Sequence, residues 1–239
     1  IRISKQTESN IEALYSNRTF VICTGQQLGV FGGPLYTFYK TITAIKLSNY
    51  LKERYDNYQF VPVFWLEGDD HDFDEVRKFS ILNNNNELVT LKYDDGLEEE
   101  LNRGCIGLKS FNNNLEKLFE DLSLHLRETE FKNSVIELLK SFYKPGETFL
   151  DSFRNLLIKI FDDYGLIVFN PLDSEIKKLL TPIFSEEIIN YRSHTIQLVE
   201  RSAELEETYH AQVKVKPINL FFIENNERLL IEPVEEEYR

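Results

Sequence analysis

The chain has 239 residues with 27 basic and 40 acidic side chains, a formal net charge of -13, and 42% hydrophobic residues. That composition excludes a disordered chain and argues against nucleic acid as the main ligand, because phosphate binding needs a clustered basic surface. No apolar run reaches the ~18 residues of a membrane helix, and no signal-peptide pattern is visible, so the reading is cytoplasmic with no membrane partner. The two cysteines, Cys23 and Cys105, form no spaced metal motif, and Cys23 reads as a reduced core residue. Methionine is absent even at position 1, so the chain reads as starting inside a longer reading frame.

Residues 1–18 are polar and mixed and read as a helix or arm leading into a sheet. Phe20 to Cys23 is a buried-strand run, followed by Thr24-Gly25-Gln26-Gln27 and a loop with Gly29, Gly32 and Gly33. Pro34 opens a helix to about Tyr55, whose apolar face is predicted as Leu35, Phe38, Ile42 and Ile45. Residues 60–66 form a second apolar run, interrupted by Pro62, which predicts an irregular start or a near-edge position. It ends in Glu67-Gly68-Asp69-Asp70-His71-Asp72-Phe73-Asp74-Glu75. Strand, helix and strand make a βαβ unit. Its parallel strands place the Gly/Gln segment and the Asp/His segment at one sheet edge, where open α/β sheets bind ligands.

Phe79–Leu82 and Leu88–Tyr93 predict a hairpin turning at Asn83–Asn86. Residues 94–112 are poorly patterned. Helical faces follow at Leu115–Leu126 and Val135–Phe142, with a break at Lys144-Pro145-Gly146, then a third helix over Phe149–Ile160 ended by Gly165. Leu166–Asn170 is a short strand. A helix starts at Asp173-Ser174 with a break or kink near Pro182, and Ile188 to about Tyr209 is helical. Ala211–Val215, Asn219–Glu224 and Arg228–Ile231 alternate like strands, with Asn225-Asn226 as a turn. The expected fold is an α/β, Rossmann-like parallel-sheet core over 1–205, carrying an inserted hairpin and helices at about 78–145. Residues 206–239 begin a connecting β-containing insertion.

The glycine spacing is neither GxxxxGK[ST] nor GxGxxG. A tight strand-to-helix connection and a polar-ligand site at a helix N-terminus both remain open for it. Asp70, Asp72 and Asp74 alternate like an EF-hand start, but Glu75 and Ile81 stand where Gly and Glu are required. His71 has no second histidine nearby, so no metal is assigned. His71 beside Asp70 or Asp72 suits a general base, and an acid-rich helix start is the bland alternative. Lys40, early in the helix, either neutralises an anion or is a solvated helix lysine, and Trp65 either walls the pocket or fills the core. GxSxG is absent.

Thr24-Gly25-Gln26-Gln27-Leu28-Gly29, Gly33-Pro34-Leu35-Tyr36-Thr37-Phe38-Tyr39-Lys40 and Pro62-Val63-Phe64-Trp65-Leu66-Glu67-Gly68-Asp69-Asp70-His71-Asp72-Phe73-Asp74-Glu75, in this order and spacing, resemble the bacillithiol biosynthesis cysteine-adding enzymes. Gly165–Pro171 and Ala211-Gln212-Val213 fit less tightly. The resemblance covers the N-terminal half of that family and leaves outside this sequence a C-terminal half with a coiled coil that helps build a homodimer. It implies a core resembling class I nucleotidylyltransferases and a ligase joining cysteine to glucosaminyl-malate through an amide, the last step of bacillithiol biosynthesis. The alternative is a nucleotidyl-transfer enzyme, or a sugar-phosphate or nucleotide binder, on the same core. ATP is the implied cofactor, although neither a Walker motif nor an HxGH motif is present. On this reading Asp70, His71 and Asp72 are catalytic, with Asp72 orienting His71. Thr24, Gly25, Gln26, Gln27, Gly33, Tyr36, Tyr39, Lys40, Trp65 and Glu67 bind substrate or nucleotide.

Overall fold

The computed structural model describes residues 3–99, 101, 103–225, 227–234 and 237–238. Two compact units divide the chain, Ile1–Pro171 and Leu172–Arg239. The first is built on a three-stranded parallel sheet in the order β1-β2-β5, which makes it α/β. β1 (Thr19–Gln27) pairs in register with β2 (Gln59–Glu67), so Gln26 and Gln27 stand beside Leu66 and Glu67. The predicted strand stopped at Cys23, yet pairing carries it through Gly25-Gln26-Gln27. Short β5 (Ile167–Phe169) pairs only with Val63–Trp65. Pro62 therefore lies just before the doubly paired part of the central strand, where a missing donor is tolerated.

α1 (Lys5–Ala13) is capped by Ser4 and buries Thr7 and Asn10. These two side chains hydrogen-bond the carbonyls of Asp162, Leu166 and Gly165. α2 (Tyr36–Arg54) crosses between β1 and β2 and buries Thr37, Thr41, Ala44, Ile45 and Ser48. The predicted apolar stripe is thus rotated, and Leu35 is 66% exposed. Small residues let the helix lie close on the sheet, and the Thr41 hydroxyl satisfies itself on the Thr37 carbonyl at 2.8 Å. Cys23 is also exposed rather than buried. It shares with Val21 the outward face of β1, an edge strand.

After β2 comes one helical turn, α3 (Phe73–Val76), and then the hairpin of β3 (Lys78–Leu82) and β4 (Leu88–Lys92). Asn86 takes φ 62° in its turn, and Asn83 Oδ1 accepts from the N–H groups of Asn85 and Glu87. The described residues of 94–112 have little regular structure, but several of them are held by Arg103. Its guanidinium donates to Asp95 and to the carbonyls of Leu97, Glu99 and Leu101. α4 (Leu115–His125), α5 (Lys132–Phe142) and α6 (Phe149–Phe161) follow. α6 opens on a reciprocal cap, with Thr148 accepting from Asp151 N–H and donating to its carboxylate. Its Phe153 packs on Phe64 of β2 at 6.0 Å. The core beneath the insertion is aromatic: Phe111 stacks on Phe149 at 4.0 Å, beside Tyr93 and Tyr143.

In the second unit, α7 (Ser174–Leu179) is capped by Asp173, and α8 runs unbroken from Thr181 to Glu206. The predicted break is the junction at Leu180, with Pro182 in the first turn of α8. Hairpins β6 (Phe221–Glu224)/β7 (Glu227–Leu230) and β8 (Pro233–Val234)/β9 (Glu237–Tyr238) follow. The predicted strand at Ala211–Val215 does not form. No described strand pairs with it and Val213 is 74% exposed, so alternation alone had nothing to bond to. Asn225 has φ 50° in the first turn, and Asn226 lies outside the described residues. No described helix is long and apolar enough to cross a membrane.

Candidate functional site

Both β1 and β2 end at the same edge, and their ends are joined by a side chain. Gln27 Nε2 donates to Asp70 Oδ2 at 2.5 Å and lies 3.2 Å from Glu75 Oε2. Asp70 is also bonded by the backbone N–H groups of His71 and Asp72, at 2.7 and 3.2 Å. Burial alone would raise the Asp70 carboxyl. The bonds from Gln27, Asp72 and His71 outweigh burial and hold it below the usual carboxylate range.

Beside this bridge opens a cavity of about 430 Å³. Gln26, Gln27, Leu28, Gly29, Gly33, Pro34, Leu35 and Tyr36 form one wall. The opposite wall is Glu75, Val76, Lys78, Phe79, Ser80 and Thr90, from α3 and the β3–β4 hairpin. Sequence reasoning assigned no ligand role to this second wall. The signal for it was slight: a hairpin directly after the Asp/His segment has to fold back near the sheet edge that precedes it.

Of the predicted binding residues, Gln26, Gln27, Gly33 and Tyr36 line the cavity, while Thr24, Gly25, Tyr39, Lys40, Trp65 and Glu67 do not. Lys40 stands one contact behind it. Its ammonium donates to Gln26 Oε1 at 3.0 Å, and Gln26 donates in turn to the Tyr36 hydroxyl at 3.3 Å. Gly25 lies against Trp65. A Cβ there would sit 2.8 Å from the Trp65 carbonyl oxygen and 3.0 Å from its Cβ. Trp65 is 40% exposed and packs on Phe169 at 4.8 Å. Tyr39 is exposed, and the Glu67 carbonyl accepts from Leu28 N–H at 3.4 Å.

The Asp/His segment divides its roles differently from expectation. His71 Nδ1 lies 3.6 Å from Asp70 Oδ1, and its ring is 64% exposed. Asp72 instead caps α3, accepting from Glu75 N–H at 3.0 Å, so Asp70 is the carboxylate beside the imidazole. Asp74 is held to about 2 by hydrogen bonds from Lys78 and Arg77. Among the described residues, no group of three or more His, Cys, Asp or Glu side chains is arranged to hold a metal ion.

The segment is braced from behind. The buried Cys105 thiol donates to the Gly68 carbonyl at 3.0 Å, Gly107 N–H to the same carbonyl at 2.9 Å, and Ile106 N–H to the Asp70 carbonyl at 2.9 Å. The glycine loop has its own brace. Phe31, at φ 58°, turns its ring into a nest of Phe79, Phe119 and Tyr143. Gly29 and Gly33 touch so closely that a Cβ on Gly29 would lie 2.5 Å from Gly33 Cα. These glycines serve a tight strand-to-helix connection, and that connection delivers the N-terminus of α2 to the cavity wall.

The sequence is similar to those of known proteins. Residues 1–239 match the family model described as "Bacillithiol biosynthesis BshC, N-terminal Rossmann-like domain". A Salinibacter ruber protein named "Putative cysteine ligase BshC" is 35% identical over 231 residues, which is 96% of this chain and 42% of that protein. Proteins of the same name from Chloroherpeton thalassium and Chlorobaculum tepidum are 35% and 36% identical over 95% and 96% of this chain. The chain spans about two-fifths of the length of the curated relatives it matches, 40–42% for these three. With its whole length matched by that model, this chain belongs to the family of BshC N-terminal Rossmann-like domains.

Proposed function

We propose that this chain forms the substrate-binding core of a ligase that adds L-cysteine to glucosaminyl-malate through an amide bond, completing bacillithiol synthesis. The observation that carries the reading is the Gln27–Asp70 bond at the lip of the cavity. It fixes a polar floor and an ionised carboxylate at the edge where open α/β sheets bind ligands. The name carried by the relatives, "Putative cysteine ligase BshC", supports the same reaction class.

Amide formation needs an anionic anchor, an amine that loses a proton and an activated carboxyl. The chain enters α2 at the cavity wall, through Leu35 and Tyr36, and a helix N-terminus carries the positive end of the helix dipole. With Lys40 behind Gln26, that end suits a carboxylate such as malate, or a phosphate. Asp70, bonded to Gln27 of the cavity lining, and His71 beside it take the amine proton. ATP fits the α2 end on the same grounds and would supply carboxyl activation. The reading extends to a homodimer of the complete protein in the cytoplasm.

Replacing His71 by Ala, with folding intact, should abolish bacillithiol formation in cells, and unchanged thiol levels would refute the role. Isothermal titration with ATP, cysteine and glucosaminyl-malate tests the substrate class. Tight nucleotide binding with no response to the malate sugar would favour a nucleotidyl-transfer enzyme or a sugar-phosphate binder.

A further inference from the structure

We propose that Glu75 is the specificity-determining residue of the cavity, receiving the primary ammonium of the amine substrate. The inference rests on the ligase reading above and assigns a role to a side chain that the reading did not use. Glu75 is the one carboxylate among the described residues lining the cavity. Its neighbour Asp74 is clamped by Arg77 and Lys78. Glu75 is not clamped: its carboxylate takes one neutral hydrogen bond, from Gln27 Nε2 at 3.2 Å, and no described cation lies in ion-pair contact with it.

Its place is fixed all the same. The Glu75 backbone N–H is held by Asp72 at 3.0 Å, and Gln27, its side-chain partner, is held by Asp70. A carboxylate that is oriented and lacks a cation offers an ammonium group charge-assisted hydrogen bonds that a neutral amide cannot match. The next wall position is polar too, since Ser80 and Thr90 share a hydrogen bond at 2.9 Å and both line the cavity. Hydroxyls beside a free carboxylate suit an amine carried on a polyhydroxylated ring. The opposite wall, with the α2 first turn, suits the anionic end of the same molecule. The cavity is therefore polarised along its length, and Glu75 fixes which end of the substrate is the amine end.

The test is NMR titration of the 239-residue chain with glucosamine and with N-acetylglucosamine, which differ only in the charge and acylation of the amine. Wild-type protein should prefer glucosamine, with shifts at Gln27, Ser80 and Thr90. Glu75→Gln should lose that preference, weakening glucosamine at least tenfold while leaving N-acetylglucosamine unchanged. Glu75→Ala should behave alike, and matching circular dichroism will show that both variants fold. The inference is overturned if wild type shows no preference, or if either folded variant keeps it. The ligase reading fails separately, through cellular thiol levels unchanged in His71→Ala while the Glu75-dependent preference persists.

Discussion

The Tyr143 hydroxyl accepts a hydrogen bond from the Gly32 N–H at 3.1 Å and donates to the Gly29 carbonyl at 3.4 Å. A side chain from the end of α5 thus closes the glycine loop over one wall of the cavity. Burial pushes the Tyr143 phenol well above its ordinary range, so it stays a neutral donor and acceptor at any working pH. Replacing Tyr143 by Phe keeps the ring in its aromatic nest but removes one of the two acceptors of the Gly32 N–H, which keeps its bond to the Gly29 carbonyl at 3.2 Å. The net loss of one such hydrogen bond costs about 0.5–1.5 kcal/mol. Urea denaturation should show a loss of that size, with amide exchange at Gly32 accelerated. No loss would mean that Phe31 packing and the loop's own backbone bonds hold it without the Tyr143 hydroxyl.

Gly25→Ala separates packing from binding. The added Cβ meets the Trp65 backbone at 2.8 Å, in the middle of paired strands that have no room to part. Overpacking of this kind costs about 1–3 kcal/mol. The expected outcome is a lowered thermal midpoint, with ligand affinity little changed in whatever fraction remains folded. A fully stable variant that loses only affinity would restore Gly25 to the pocket floor.

How much of this could be read beforehand follows from what kind of signal each part leaves. Contiguous apolar runs marked β1, β2 and β5, and turn residues marked the β3–β4 hairpin, because local sequence specifies those. The rotation of α2 was not legible. Its buried face is Thr37, Thr41, Ala44 and Ser48, small residues suited to close approach to the sheet, with Ile45 the buried position it shares with the predicted stripe. The Gln27–Asp70 contact was half legible: parallel strands had to bring the two segments to one edge, but not which side chains would meet. Glu75, Lys78, Ser80 and Thr90 were illegible as a wall because their place depends on how the hairpin folds back. Cys105 and Tyr143 act through tertiary contacts far along the chain and leave no local pattern.

Gln27→Leu tests the bridge. It removes the side-chain donor to Asp70 while leaving the two backbone bonds from His71 and Asp72. The Asp70 carboxyl should titrate at higher pH than in wild type, because the strongest of the contacts that hold it down is gone and burial still disfavours the charge. Carboxyl-detected NMR titration reads this directly. Activity, if the ligase reading holds, should fall with the change. An unmoved Asp70 would assign its low value to the backbone alone.

The last prediction concerns acid stability. Asp70, Asp74, Asp95 and Glu99 are all held below their ordinary range in the folded chain. For Asp95, burial works the other way and is outweighed by Arg103, the Leu97 N–H and Lys109. A carboxyl with a depressed folded value binds its proton more readily when unfolded. Its contribution is therefore complete above the unfolded value, about 3.9 for Asp and 4.3 for Glu, and is lost as pH falls through the folded value. Stability should be flat near neutrality and drop below about pH 4–5, with the Asp74 contribution persisting down to about 2. Asp95→Asn should flatten the upper part of that acid limb and lower stability at pH 7 by about 3–5 kcal/mol, since Arg103 and Lys109 would lose the carboxylate between them. Urea midpoints measured from pH 2 to 8 on wild type and Asp95→Asn will decide it: parallel curves would show that the Asp95 cluster carries none of the acid sensitivity.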